Sequence, residues 1–231
     1  MKSAETLWCV VPAAGRGKRF GAELPKQYVS IAGKSLLRWT LERLAAHPRI
    51  AGLVVVLSAE DTQWIDLCTL AGKPVLTAIG GGERADSVLS GLNALGDEVA
   101  DDAFVLVHDA ARPCVREGDI TRLIECASAL GGGLLAAPLR DTLKRADAQG
   151  RVETTEARES RWRALTPQMF RRAELVDALS RARDEGVMVT DEAMAMERLG
   201  HRPLLVEGSD DNIKVTTPGD LAWVRFLLST P

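Results

Sequence analysis

Long apolar runs are missing from this 231-residue chain. No stretch approaches the ~18 consecutive apolar residues of a membrane span. No basic segment near the start leads into a signal-type apolar run. An excess of one charge is missing too. The 29 Lys and Arg residues face 32 Asp and Glu, a net charge of −3, which gives no support for nucleic-acid binding through a basic surface. Histidine is scarce: His47, His108 and His201 lie far apart and form no ligand spacing or obvious catalytic base. The four cysteines, Cys9, Cys68, Cys114 and Cys126, contain no C-x-x-C, so a zinc ribbon or thioredoxin motif is not indicated. Cys9 and Cys126 fall in apolar patterns and read as reduced core residues. The serines lack a G-x-S-x-G context, and no nucleophilic triad is visible. These absences set the expectation of a cytoplasmic protein that binds neither nucleic acid nor membrane and works without covalent catalysis.

What the chain does have is a 46% apolar fraction, ample for a substantial core. Short Val/Leu-rich runs alternate with helical patterns through residue 137. Strands are expected at Leu7–Val11, Leu53–Leu57, Val75–Ile79, Phe104–Val107 and Leu134–Ala137. Helices are expected at Ser35–Ala46, near Glu60–Leu70, at Ala85–Leu95 and at Glu117–Leu130. Nearly unbroken apolar strands suit a sheet covered on both faces, and the alternation implies right-handed βαβ units. The expected fold is therefore α/β: a mostly parallel, doubly wound sheet in a single domain over 1–231.

The pattern changes at Leu139–Arg163, where charges crowd out apolar residues. This segment is either a disordered insertion or a projecting β-arm, with Leu143–Arg145 and Arg151–Thr155 as its strands around Ala148-Gln149-Gly150. A two-stranded arm is marginal alone, so an arm implies a partner, most simply a second copy of the chain. Beyond it, Arg171–Arg183 and Asp191–Leu199 read as helices, Pro203–Val206 and Asn212–Val215 as strands, and Pro218–Leu228 as a helix.

The densest signal is Val10–Gln27, V-V-P-A-A-G-R-G-K-R-F-G-A-E-L-P-K-Q. An apolar strand runs into a glycine-bearing loop with Arg16, Lys18, Arg19 and Lys26, opposed only by Glu23. Glycines allow close backbone approach, and exposed N–H groups with clustered cations suit a polyphosphate. Two familiar phosphate motifs fail here. The dinucleotide fingerprint needs a glycine where Phe20 stands. The P-loop needs Ser or Thr where Arg19 stands and a glycine at Pro12. The plain alternative is a solvated basic loop between a strand and a helix.

In open parallel sheets, ligands sit beyond the carboxyl ends of the strands, so the loops there hold the next candidates. Gly80-Gly81-Gly82-Glu83-Arg84-Ala85-Asp86-Ser87 again permits close approach; by themselves, Asp86 and Ser87 read as helix caps. Val107-His108-Asp109-Ala110-Ala111-Arg112-Pro113 places Asp109 at a strand end, suited to hold Mg²⁺ on phosphates, or else to pair with Arg112. Lys214, between Ile213 and Val215, either faces outward on an edge or is aimed into the crevice at an anion.

Taken together, P-A-A-G-R-G-K-R-F with L-P-K-Q-Y, G-G-x-E-R-A-D-S-V, V-H-D-A-A-R-P, A-P-L-R-D-T-L-K, A-L-T-P-Q, T-D-E-A and D-N-I-K-V-T resemble the 2-C-methyl-D-erythritol 4-phosphate cytidylyltransferase family. They follow the family order from about residue 7 to residue 228. The resemblance implies a Rossmann-like nucleotidyltransferase that joins CTP to methylerythritol phosphate and releases pyrophosphate. It implies that Arg19 and Lys26 stabilise charge on the triphosphate and that Asp109 binds Mg²⁺. Ala13, Ala14, Gly15, Gly81, Asp86 and Ser87 would surround the cytidine nucleotide, and Arg112, Thr142, Thr166 and Thr190 would line the polyol phosphate site. Lys214 would position that substrate, and Arg158, on the arm at 139–163, would reach it in the partner subunit of a homodimer. Gly82 departs from relatives that carry Asp there. The rival readings are a cytidylyltransferase for another polyol phosphate, such as ribitol 5-phosphate, and a nucleotide-sensing module without turnover.

Overall fold

The computed structural model describes residues 6–15 and 24–229. In chain order the elements are β1 (Leu7–Pro12), β2 (Ser30–Ile31), β3 (Lys34–Ser35), α1 (Leu36–Ala46), β4 (Ile50–Leu57), β5 (Thr69–Leu70), β6 (Lys73–Ile79), α2 (Arg84–Asn93), β7 (Phe104–Val107) and α3 (Glu117–Ala127). There follow β8 (Gly132–Pro138), β9 (Leu143–Ala146), β10 (Val152–Glu156), β11 (Trp162–Arg171), α4 (Arg172–Asp184), α5 (Glu192–Arg198), β12 (Leu204–Glu207) and α6 (Pro218–Ser229).

Eight strands form one sheet in the order β12-β8-β11-β7-β1-β4-β6-β5. Neighbours β7-β1-β4-β6 run parallel, as do β12 and β8, while β11 is antiparallel to both of its neighbours and β5 to β6. The sheet is thus mixed and mostly parallel. Both faces are covered, which is why β1, β4 and β7 tolerate continuous apolar sequence. Cys9 and Val11 of β1 pack on one face with Leu37, Leu41 and Leu44 of α1 and Ile120, Leu123 and Ile124 of α3. Val10 packs on the other with Val88 and Leu92 of α2, Leu175 and Leu179 of α4, and Ala193 and Met196 of α5. The chain leaves β1 to one side for β4 and later returns to its other side as β7. Strand order reverses at β1, and a crevice opens beyond its carboxyl end.

Several expectations are corrected. No helix forms near Glu60–Leu70; there Asp61 Oδ1 accepts the backbone N–H groups of Gln63 and Trp64, at 2.9 and 3.0 Å, and holds a turn instead. Asn212–Val215 is a loop, not a strand. Cys126 is exposed, because α3 buries Ile120, Leu123, Ile124 and Ala127 and leaves position 126 on its outer side. Cys9 is buried as expected, and burial pushes its thiol pKa up. The charged segment is an antiparallel hairpin, β9 with β10, whose register pairs Glu156 with Leu143 and Val152 with Ala146. It ends earlier than expected, since Trp162 and Arg163 already pair with Pro138 and Ala137 as the start of β11. That ten-residue strand carries a cis Thr166-Pro167 bond within an irregular stretch of its pairing with β8.

Candidate active site

The loops beyond β1, β6 and β7 enclose a cavity of about 180 Å³. Ala13, Ala14 and Gly15 form one wall, Gly81, Gly82 and Ser87 another, and Lys26, Asp109 and Lys214 supply charge. The two glycine-bearing walls touch. A Cβ on Gly80 would lie 2.6 Å from both Ala14 Cβ and Ser87 Oγ, and one on Gly81 would lie 2.4 Å from Asp86 Cβ. Only glycine permits that approach. Gln27, buried in the turn at 26–28, donates to the Ala13 carbonyl at 2.7 Å and ties the L-P-K-Q segment to the first wall. Lys26 Nζ donates to the Val215 carbonyl at 3.0 Å across the cavity mouth.

Asp109 is the electrostatic centre. Its carboxylate is 8% exposed and meets three cations: Arg84 Nε at 3.0 Å on Oδ1, and Arg112 Nε at 3.2 Å and Lys214 Nζ at 3.0 Å on Oδ2. Burial by itself would raise the Asp109 pKa; Arg84, Lys214 and Arg112 outweigh it and hold the group well below the usual carboxylate range. Asp109 is therefore ionised wherever the protein is folded near neutrality.

Its backbone is fixed by a closed set of hydrogen bonds. His108 Nε2 lies 3.0 Å from the Arg112 carbonyl, which can only accept, so Nε2 carries the proton. Nδ1 then accepts the Thr166 hydroxyl at 3.0 Å, and the Thr166 oxygen accepts the Asp109 N–H at 3.1 Å. The Thr166 carbonyl accepts from Asn212 Nδ2 at 2.6 Å, and the Asn212 carbonyl accepts from Arg112 Nη1 at 2.7 Å. Burial pushes the His108 pKa down to about 4, so the ring stays neutral and its tautomer is locked. Lys214 is held on the next loop: Val215 N–H donates to the Ala111 carbonyl at 2.9 Å, and α6 seals Val215 and Val224 against Ile31 and Leu36.

The cavity thus gathers Ala13, Ala14, Gly15, Lys26, Gly81, Ser87, Asp109 and Lys214. Lys214 faces the crevice rather than an edge. Arg112 and Thr166 lie directly behind Asp109 and are buried. Asp86 instead caps α2, its Oδ2 accepting the Glu83 N–H at 3.1 Å. Thr142 is exposed at the base of the arm, and exposed Thr190 lies against Met194, its hydroxyl 3.6 Å from Sδ. Arg158 is exposed and donates to the Arg140 carbonyl of its own chain. Arg19, with Arg16 and Lys18, lies outside the described residues.

Sequence reasoning missed Arg84 and Glu192. Arg84 grips fully buried Glu192 through Nη1–Oε1 at 2.5 Å and Nη2–Oε2 at 3.1 Å while its Nε holds Asp109. Both residues sit inside quoted motifs, G-G-x-E-R-A-D-S-V and T-D-E-A; their charge beside glycine and threonine was the available signal.

A cation-lined cavity at a topological switch point, with one ionised carboxylate at a strand end, is equipped to gather phosphates. A family model described as IspD, 2-C-methyl-D-erythritol 4-phosphate cytidylyltransferase, matches residues 7–230. The chain belongs to this family. A cytidylyltransferase of that name from Stenotrophomonas maltophilia (strain R551-3) is 59% identical over 96% of the chain and 97% of its own length. One from Xanthomonas campestris pv. campestris (strain 8004) is 56% identical over 97% of the chain and 85% of its own length. The crystal structure of the Francisella tularensis cytidylyltransferase superposes with a TM-score of 0.81 at 33% identity, covering 96% of the chain and 100% of that protein. In this member of the cytidylyltransferase family, the glycine walls, Lys26, Asp109 and Lys214 meet at one cavity.

Proposed function

We propose that the chain transfers a cytidylyl group from CTP to 2-C-methyl-D-erythritol 4-phosphate, giving 4-diphosphocytidyl-2-C-methyl-D-erythritol and pyrophosphate in non-mevalonate isoprenoid biosynthesis. The observation that carries this reading is Asp109, ionised and ringed by cations, facing two glycine walls that touch each other. A phosphate oxygen of the polyol phosphate attacks the α-phosphorus of CTP in line, and the bond to pyrophosphate breaks. No covalent intermediate is needed, so the protein's task is to bring several negative charges together and hold them in line. The glycine walls take the nucleotide. Lys26 and Arg19 stabilise charge that develops on the triphosphate. Lys214, together with Arg112 and Thr166 behind Asp109, and with Thr142, Thr190 and the arm's Arg158, positions the attacking phosphate.

Mg²⁺ suits this donor set. Mg²⁺ is commonly held by one or two carboxylates and completes its shell with phosphate oxygens and water. Among the described residues, no cluster of three or more His, Cys, Asp or Glu could hold a metal by itself. Asp109 is then the protein's contribution and the triphosphate the remainder. Lys214, 38% exposed and the most accessible of the three cations, is the one able to release an Asp109 oxygen and turn to a phosphate. When bound, the cation would neutralise the triphosphate and polarise its phosphoryl oxygens.

The reading includes a cytoplasmic homodimer, with each hairpin arm delivering Arg158 to its partner's cavity. The exposed, charge-rich arm and the marginal stability of an isolated hairpin support it. No helix among the described residues is long and apolar enough to cross a membrane. The test is pyrophosphate release with each nucleoside triphosphate against a panel of polyol phosphates, with and without EDTA. Turnover restricted to CTP with methylerythritol phosphate and abolished by EDTA is expected. Preference for ribitol 5-phosphate would move the activity to another polyol, and nucleotide binding without turnover would make the chain a sensor.

A further inference from the structure

The Asp109 oxygens are not equivalent. Oδ2 is shared by Arg112 and by accessible Lys214, whereas Oδ1 is held by Arg84, whose guanidinium is itself immobilised. The Glu192 carboxylate grips both Nη atoms of Arg84, and this planar fork leaves Nε pointing at Oδ1, 3.0 Å away. Glu192 is in turn fixed by the start of α5. Gln168 Oε1 accepts the Ala193 N–H at 2.7 Å, Gln168 Nε2 donates to Asp191 Oδ2 at 3.0 Å, and Asp191 Oδ1 caps Met194 N–H at 2.9 Å. The line Gln168–α5 with its Glu192–Arg84–Asp109 joins segments from four parts of the chain and ends on one carboxylate oxygen.

We propose that Arg84, oriented by Glu192, is a positioning residue that immobilises the Asp109 carboxylate and so presents Oδ2 to the divalent cation and its triphosphate. The proposal rests on the reading that Asp109 receives that cation. The competing account is that Arg84 and Glu192 merely pin α2 to α5. The two accounts separate because a buried pair broken on one side destabilises, whereas removing both charges together can leave stability intact.

The test uses the full chain carrying Glu192→Gln, Arg84→Lys or the double substitution Arg84→Gln/Glu192→Gln. Three quantities are read: melting temperature without metal or nucleotide, Mn²⁺ binding by electron paramagnetic resonance in the presence of CTP, and the Mg²⁺ dependence of pyrophosphate release. Outer partners of metal ligands typically tune affinity about 10–100-fold, and a loss of that size in Mn²⁺ affinity is expected in all three variants. The KM for CTP at saturating Mg²⁺ should move less than the Mg²⁺ half-saturation. The double variant should keep the loss even where it melts like the wild type. A double variant with both wild-type melting and wild-type Mn²⁺ affinity would overturn the proposal, and so would a folded Arg84→Lys chain that binds Mn²⁺ as the wild type does. Absence of Mn²⁺ binding to the wild-type protein with CTP would overturn the metal reading itself, and the proposal with it.

Discussion

The region behind Asp109 and the arm are both rich in charge, and they treat it in opposite ways. On the arm, Arg145 pairs with Glu153 at 3.0 Å and Glu156 at 3.8 Å, and Lys144 donates to Thr155 at 2.6 Å, all between adjacent strands and in solvent. Around Asp109, Arg84 meets a fully buried Glu 108 positions away and buried Arg112 a carbonyl 100 positions away. Exposed pairs of the first kind contribute little to stability because solvent screens them. Buried charges of the second kind cost desolvation that pairing scarcely recovers. Such pairs hold charge in a fixed place rather than add strength to the fold.

The largest effects should follow from disturbing the buried side of this contrast. Asp109→Asn and Lys26→Ala should each lower kcat by about 10²–10³, the scale of deleting one preorganised electrostatic contact, with a smaller rise in KM for CTP. Steady-state kinetics at saturating Mg²⁺ check this, and an effect confined to KM would reassign the residue to ground-state binding. On the proposed reading, the arm enters catalysis only through a partner. An Arg158→Ala chain mixed with a Lys26→Ala chain should recover roughly a quarter of wild-type activity at statistical mixing, because one site in each heterodimer is intact. Native mass spectrometry must show the heterodimers; no recovery in their presence would return Arg158 to its own subunit.

A smaller effect is expected in pH dependence. Burial depresses the His108 pKa from 6.5 to about 4. Between those values the unfolded chain binds a proton that the folded chain refuses, so stability falls as pH drops from 6.5 towards 4, by about 3 kcal/mol at most. His47, also depressed chiefly by burial, acts in the same direction. Urea denaturation across this window should therefore show a shallower, not a flat, pH slope in His108→Gln. The smallest effect belongs to the arm surface. Arg145→Ala should change stability by no more than about 1 kcal/mol, and a larger loss on thermal melting would mean that its pairs are covered in the assembled protein.

The parts of the fold legible in sequence were those with an unbroken local signal. β7 falls at the expected Phe104–Val107, and β1 and β4 differ from expectation only at their ends, because apolar β-branched runs bounded by glycine and polar loops mark buried parallel strands. β11 was invisible for the converse reason. Its first residues, Trp162-Arg163, continue a charged segment, and Pro167 stands mid-strand where proline ordinarily argues against one. In the site, Lys26 and Asp109 stood out from residue type at loop positions, whereas Lys214 was expected in a strand with its direction open, and only the loop at 212–215 turns it to the cavity. The Arg84–Glu192 pair was not, since an ion pair across 108 positions leaves no periodicity to read.

The strand order also bears on synthesis at the ribosome. β8, Gly132–Pro138, has β11 on one side and β12 on the other, and both are made after it. A nascent chain that has just completed β8 carries an almost wholly apolar strand with two open edges, the condition that invites pairing with other chains. Only when translation has passed residue 171 does β11 slot between β7 and β8 and stitch the two sections of sheet together. The charges gathered around Asp109 mature on the same schedule: Asp109 and Arg84 emerge early, while Glu192 and Lys214 arrive last. The cavity is thus finished from its far end, and a chain stopped short of residue 214 would hold the carboxylate without its full complement of counter-charges.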